Sequence, residues 1–215
     1  MKVVITGSAK GIGRATAILF LQNGHTVYGI DELPADYSYP KYIHYIADVS
    51  DKSELPEIDN VDILINNAGI QDGECIDVNL RGLINTTEKY GLQPHIKSIC
   101  NLASVSAHNG AEFPEYTASK GGVLSYTKWC AKAVAQYGAT CNSLSFGGVI
   151  TGLNDDVIND DKKWQKIMDM TPLKKWATPG ECAQWIYFIT TVNRSCSGQD
   201  IIIDNLETLN HIFVW

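Results

Sequence analysis

Seven short runs of aliphatic and β-branched residues punctuate the chain, at 3–5, 26–30, 42–46, 63–65, 96–101, 140–144 and 201–203, each bounded by residues that favour turns. Runs of this length and composition read as strands. Helical patterns lie between them and predict helices over 13–23, 77–90, 116–137 and 179–190, the last opened by Pro179, at a position where a helix tolerates proline. Strands alternating with helices imply one α/β domain over residues 1–215, a doubly wound, seven-stranded parallel sheet with helices on both faces. The connections at 31–48, 48–66 and 69–79 leave little room for full helices, so those crossovers are expected to be abbreviated. Residues 155–170, charged but carrying Trp164, Ile167 and Met168, are the best candidate for a mobile cover over a pocket.

Composition then narrows the function classes. The chain has 215 residues, 45% of them hydrophobic, which suffices for one complete core. A formal charge of −7 offers no cationic field to gather nucleic acid or an anionic membrane, so neither is expected as a partner. No apolar run approaches the roughly 20 residues that span a bilayer. The first strand begins at Val3, which leaves no room for a signal peptide, and a cytoplasmic location is expected. The six cysteines form no CxxC pair and the five histidines are scattered, so reduced, mostly buried thiols and no metal site are expected.

Candidate chemistry begins directly after the first strand, where Thr6-Gly7-Ser8-Ala9-Lys10-Gly11-Ile12-Gly13 leads into a helix. Glycines let the backbone turn sharply and approach a pyrophosphate, while the free N–H groups and positive dipole end of the helix favour the anion. Asp31, at the tip of the second strand, can accept both ribose hydroxyls of NAD and would repel a 2′-phosphate, with Glu32 adding to that repulsion. NAD is therefore the expected cofactor. Lys10 argues the other way, for NADP.

Tyr116 and Lys120, four residues apart near the start of a predicted helix, share one face about a turn apart. A phenol titrates near pH 10 in isolation, but an ammonium within about 4–6 Å favours its phenolate. Lowering that pKa to near 7 takes about 4 kcal/mol of differential stabilisation, at about 1.4 kcal/mol per unit.

The TGxxxGIG spacing of 6–13 is followed by Asp31, Asp48-Val49, Asn66-Asn67-Ala68-Gly69, Asn79, Ser104 and Tyr116-Thr117-Ala118-Ser119-Lys120. This order resembles the short-chain dehydrogenase/reductase family, as do the segments 142–151 and 197–204. The resemblance spans practically the whole chain. It implies a Rossmann-like domain that exchanges hydride between a nicotinamide dinucleotide and a small alcohol or ketone. By the same resemblance Tyr116 is the general acid and base, Lys120 also holds the nicotinamide ribose, Ser104 bonds the substrate oxygen and Asn79 fixes a water that relays the proton. Cofactor contacts are then expected from Gly7, Ser8, Lys10, Gly11, Ile12, Gly13, Asp31, Asp48, Val49, Asn67, Ala68, Gly69, Gly147, Val149 and Thr151, together with Tyr116 and Lys120. The alternatives are an NADP-dependent 3-oxoacyl reductase and a dinucleotide sensor without turnover.

Three features depart from the family's pattern. The interval from Ser104 to Tyr116 is one residue tight, the stretch from Gly69 to Asn79 is short, and Phe146 stands where a proline is usual, which is expected to loosen the backbone before Gly147. Pocket walls are expected from 106–115 and 152–176, where Phe113, Trp164, Met168, Met170 and Trp176 suggest a moderately apolar substrate or, as readily, packing under the cover. The resemblance also implies a homodimer or homotetramer. Its expected contacts are the outer faces of the helices 77–90 and 116–137, through Leu83, Thr87, Val123, Thr127 and Ala131, plus the C-terminal strand.

Overall fold

The computed structural model describes residues 1–111 and 113–209. All seven expected strands form: β1 (Lys2–Thr6), β2 (Thr26–Asp31), β3 (Tyr42–Ile46), β4 (Ile63–Asn66), β5 (Ser98–Ser104), β6 (Thr140–Phe146) and β7 (Asp200–Ile203). They build one parallel sheet in the order β3-β2-β1-β4-β5-β6-β7. Alternation along β1 sends Val3 and Ile5 to one face, where they meet Phe20, Ile63, Ile65 and Ile186, and Val4 to the other, where it meets Ile30, Leu64, Tyr90 and Val134. Both faces are therefore dry, which is why these strands read as continuous apolar runs.

The first face is covered by α1 (Gly11–Gln22) and α7 (Pro179–Tyr187), which pack on one another. Thr178 caps α7: its hydroxyl accepts the Glu181 N–H at 3.2 Å, while the Glu181 carboxylate accepts the Thr178 N–H at 2.8 Å. The second face carries α4 (Pro114–Val134) and the segment Ile76–Arg81, α2 (Gly82–Thr86) and Thr87–Gly91, in which α2 is flanked by π-helical turns. A short α3 (Ser106–Asn109) follows β5, and α5 (Asp155–Ile158) and α6 (Asp161–Met170) occupy the segment expected to form a cover.

The connections β2–β3 and β3–β4, described throughout, contain no helix. Side chains fill the gap instead. Tyr37 stacks on Tyr42 at 4.6 Å between ring centroids on one side of the sheet, while Leu55, Ile58 and Val61 are buried on the other. The third tight stretch is shortened only as far as residue 75, since helix begins at Ile76.

Two expectations need correction. Leu83, Thr87, Val123, Thr127 and Ala131 are buried inside the subunit, because the faces of α2, the turn Thr87–Gly91 and α4 that carry them pack on each other and on the sheet. Phe146 does not loosen the backbone. It is buried at the end of β6, in register with Ser104 on one side and Ile203 on the other, and its carbonyl accepts the Val105 N–H at 3.1 Å. Paired strands on both sides hold the peptide that a proline would otherwise stiffen.

Candidate active site

The order β3-β2-β1-β4 reverses the direction of winding between β1 and β4, and a crevice opens there at the carboxyl ends of the strands. It has a volume of about 700 Å³ and runs from Asp31 and Leu33, past the glycine turn, to Ser104, Tyr116 and Trp176. Of the residues expected from the sequence, Gly7, Lys10, Gly11, Ile12, Asp31, Val49, Asn67, Ala68, Gly69, Ser104, Tyr116, Lys120, Gly147, Val149 and Thr151 line it.

Gly7 (φ 65°) and Gly11 (φ 57°) take the left-handed backbone that side chains disfavour. Gly13 acts differently: a Cβ there would stand 2.0 Å from the Gly7 carbonyl oxygen, so its bareness lets α1 press against the turn. The turn is clamped from β4. Asn67 donates its side-chain amide to the Thr6 and Gly7 carbonyls, both at 2.9 Å, and the Asn67 and Ala68 N–H groups donate to the Thr6 hydroxyl. Asp31 holds it from β2, accepting the Ala9 N–H and the Leu33 N–H at 2.9 Å, one on each oxygen. A carboxylate has about four acceptor sites, so capacity remains on the side that faces the crevice.

Ser8, Gly13, Asp48 and Asn79 are not part of the lining. Ser8 is fully buried against Tyr42 (3.0 Å) and lies behind the turn. Asp48 accepts both the N–H and the hydroxyl of Ser50 at 2.7 Å, making a local turn. The Asn79 side chain spans the loop after β4: it accepts the Ile70 N–H at 2.8 Å and donates to the Ile70 carbonyl at 2.9 Å and to Ser119 at 3.0 Å. It thereby sets the position of Gly69, where a Cβ would lie 3.1 Å from the Asn79 Oδ1 and 3.4 Å from the Lys120 Nζ.

Tyr116 and Lys120 stand on the first two turns of α4, with the ammonium 5.6 Å from the centre of the phenol ring. Lys120 is buried and also donates to the Leu102 carbonyl at 3.0 Å. Ser104 ends β5 with its hydroxyl accepting the Ser106 N–H at 3.2 Å. A cation held against a phenol, with a hydroxyl in the lining of the same crevice, can stabilise a phenolate and pass a proton to an oxygen bound there.

Several contributors were missed from the sequence. Tyr37 donates its hydroxyl to the Ser8 carbonyl at 2.9 Å, and a chain from Ser8 through Tyr42 (3.0 Å) to His44 (2.8 Å) ends on the Leu33 carbonyl (2.8 Å). Burial pushes the Tyr37 and Tyr42 phenols up, so both remain donors throughout the physiological range. At the opposite end Glu207 enters the lining beside Trp176, which was expected there. The Glu207 carboxylate accepts the Gly148 N–H at 3.1 Å and the Trp176 indole N–H at 2.6 Å. No periodicity marks a residue in a turn after the last strand as part of a crevice. Of the aromatic and methionine residues expected to form pocket walls, only Trp176 does so. Trp164 packs edge-on against it at 5.2 Å, Met168 is buried, and Phe113 and Met170 are exposed.

Fold and site together define a doubly wound α/β protein whose reactive side chains gather at the switch point of its sheet. Sequence comparison makes the class specific: a family model described as enoyl-(acyl carrier protein) reductase matches residues 7–205, and the chain belongs to the short-chain dehydrogenase/reductase family of oxidoreductases. It is 31% identical over 235 residues to the 3-oxoacyl-[acyl-carrier-protein] reductase FabG of Thermotoga maritima, covering 94% of this chain and 95% of that protein. It is 30% identical over 240 residues to the 2,3-dihydro-2,3-dihydroxybenzoate dehydrogenase of Escherichia coli, covering 96% of each. Among solved structures, a 4-hydroxyisoleucine dehydrogenase mutant complexed with NADH and succinate superposes with a TM-score of 0.89 at 24% identity, over 97% of this chain and 99% of that one. Among the described residues no helix is long and apolar enough to cross a membrane.

Proposed function

We propose that the protein interconverts a secondary alcohol and a ketone with NAD(H), using Tyr116 as general acid and base. The observation that carries this reading is the gathering of Tyr116, Lys120 and Ser104 in the lining of a crevice that begins at a glycine turn, with the Lys120 ammonium held over the Tyr116 ring. The residues fit a dinucleotide: the left-handed glycines and the start of α1 suit a pyrophosphate, Asp31 suits an adenosine ribose, and bare Gly69 beside Lys120 leaves room for a second ribose. The bound nicotinamide would supply or accept the hydride. Ser104 would hold the substrate oxygen by a hydrogen bond. Tyr116 would give its proton to that oxygen during reduction and take it back during oxidation, and Lys120 would keep the phenolate accessible. Asn79 would act by fixing the loop of Gly69 and Ile70, since its amide N–H groups donate to the Ile70 carbonyl and Ser119 and its oxygen accepts the Ile70 N–H.

NAD is preferred because Asp31, with Glu32 beside it in the lining, places negative charge where a 2′-phosphate would sit. The similarity to the Thermotoga reductase supports the second reading, an NADP-linked 3-oxoacyl reductase. Steady-state kinetics with both cofactors, against a panel of secondary alcohols and 3-oxoacyl thioesters, separates the two. Turnover of alcohols with NAD is the expected result, and a tenfold preference for NADP would overturn the cofactor assignment.

A further inference from the structure

We infer that Glu207 selects substrates carrying, besides the reacting oxygen, a second hydrogen-bond donor, a hydroxyl or an ammonium group. The inference rests on the oxidoreductase reading, and it names the substrate class of that same site.

The ends of three adjacent strands bring Glu207 into the crevice that Ser104 lines. Ser104, Phe146 and Ile203 stand in one row across β5, β6 and β7, and the turn that carries Glu207 follows β7 directly. Two strand spacings of about 4.8 Å separate the main chains of Ser104 and Ile203 by about 10 Å, and from beyond Ile203 the Glu207 carboxylate reaches back to the Gly148 N–H after β6.

The crevice is shaped around this carboxylate. A Cβ on Gly147 would lie 2.5 Å from the Glu207 Oε2, and one on Gly148 would lie 1.9 Å from the Trp176 ring, so both side chains occupy space that only the Gly147-Gly148 pair leaves open. The turn leading into Glu207 holds two non-glycine residues in left-handed backbone, Asn205 (φ 53°) and Leu206 (φ 71°). Conformations of that kind persist only when the surroundings over-determine them. Here Asp204 does so by accepting the Leu206 and Thr208 N–H groups.

Among the described residues the carboxylate is held by hydrogen bonds from neutral groups. Its donors are the Gly148 N–H, the Trp176 indole and the Thr171 hydroxyl (3.4 Å), all neutral, and among the described residues no lysine, arginine or histidine forms an ion pair with Glu207. A half-buried carboxylate in that state attracts a donor, above all a cationic one, and repels an anionic substituent.

The test compares kcat/KM of wild type, Glu207→Gln and Glu207→Leu for 4-methylcyclohexanol, 1,4-cyclohexanediol and trans-4-aminocyclohexanol. Calorimetric titration of each protein saturated with NADH, using the same three compounds, gives a readout that does not depend on turnover. Wild type should favour the amino and hydroxy compounds over the methyl compound by tenfold or more. Glu207→Gln should lose at least tenfold of the amino preference while keeping most of the hydroxy preference, and Glu207→Leu should lose both. Ratios that stay within twofold of wild type, or an equal loss on all three compounds, would make Glu207 structural and overturn the inference, while turnover of the alcohols would leave the oxidoreductase reading standing. A Glu207-dependent binding preference without turnover would do the reverse.

Discussion

Replacing Tyr116 by Phe keeps the ring against Lys120 but removes the one hydroxyl proposed to protonate the substrate. Turnover should fall by about 10²–10⁴ while NAD still binds, and stopped assays paired with cofactor titration check both halves. Activity within a fewfold of wild type in folded protein would refute the mechanism and favour the sensor. Lys120→Ala should in addition raise the KM for the cofactor, because the same ammonium is proposed to anchor a ribose. At the other end of the crevice, Asp31→Ala should weaken NAD and relieve the penalty on NADP. Part of that weakening would come from the turn itself, since Asp31 also holds the Ala9 N–H.

The tyrosines that stand in for the absent helix between β2 and β3 make that crossover sensitive to single atoms. Tyr42→Phe leaves the buried Ser8 hydroxyl without its partner, at a cost of about 1–3 kcal/mol. A lower melting temperature and a higher KM for NAD should appear together, since Ser8 lies within the glycine turn. The cap of α7 gives a pH-dependent counterpart. The Lys175 ammonium beside Glu181, with help from the Thr178 N–H, lowers the Glu181 carboxyl to about 2. A depressed folded-state pKa contributes stability that is complete above the unfolded value, about 4.3 for Glu, and is lost as pH falls towards 2. The melting-temperature gap between wild type and Glu181→Ala should therefore be widest near neutrality and narrow progressively below about pH 4. Thr178→Ala should cost about 1 kcal/mol at neutral pH.

For the assembled molecule, the helix faces expected to pair are already spent on the subunit's own core. Trp129 on α4 remains exposed, and a separate group of exposed apolar side chains lies at Trp185 on α7, at Phe188 and Val192 in the π-helical turn Phe188–Val192 that follows it, and at Ile202 on the edge strand β7. We propose that a second copy of the chain covers this region. Light scattering at micromolar concentration should give two or four times 23.6 kDa, and Phe188→Asp with Val192→Asp should lower that mass. A wild-type monomer would overturn the proposal.

The sequence by itself determined the strands, the long helices, the turn at Gly7 and Gly11 and the Tyr116–Lys120 face. All of these rest on short-range rules: a strand buried on both faces must be apolar throughout, a left-handed turn needs glycine, and residues four apart on a helix share a side. The tertiary structure alone decided the rest, because each remaining feature joins residues far apart in the chain. Asn79 turns inward to fix Ile70, Tyr37 and Tyr42 replace a helix behind Ser8, and β7 carries the turn of Glu207 to the end of β6. Burial of polar atoms obliges each of them to find a partner, but which partner depends on strand order and register, and these are properties of the folded sheet.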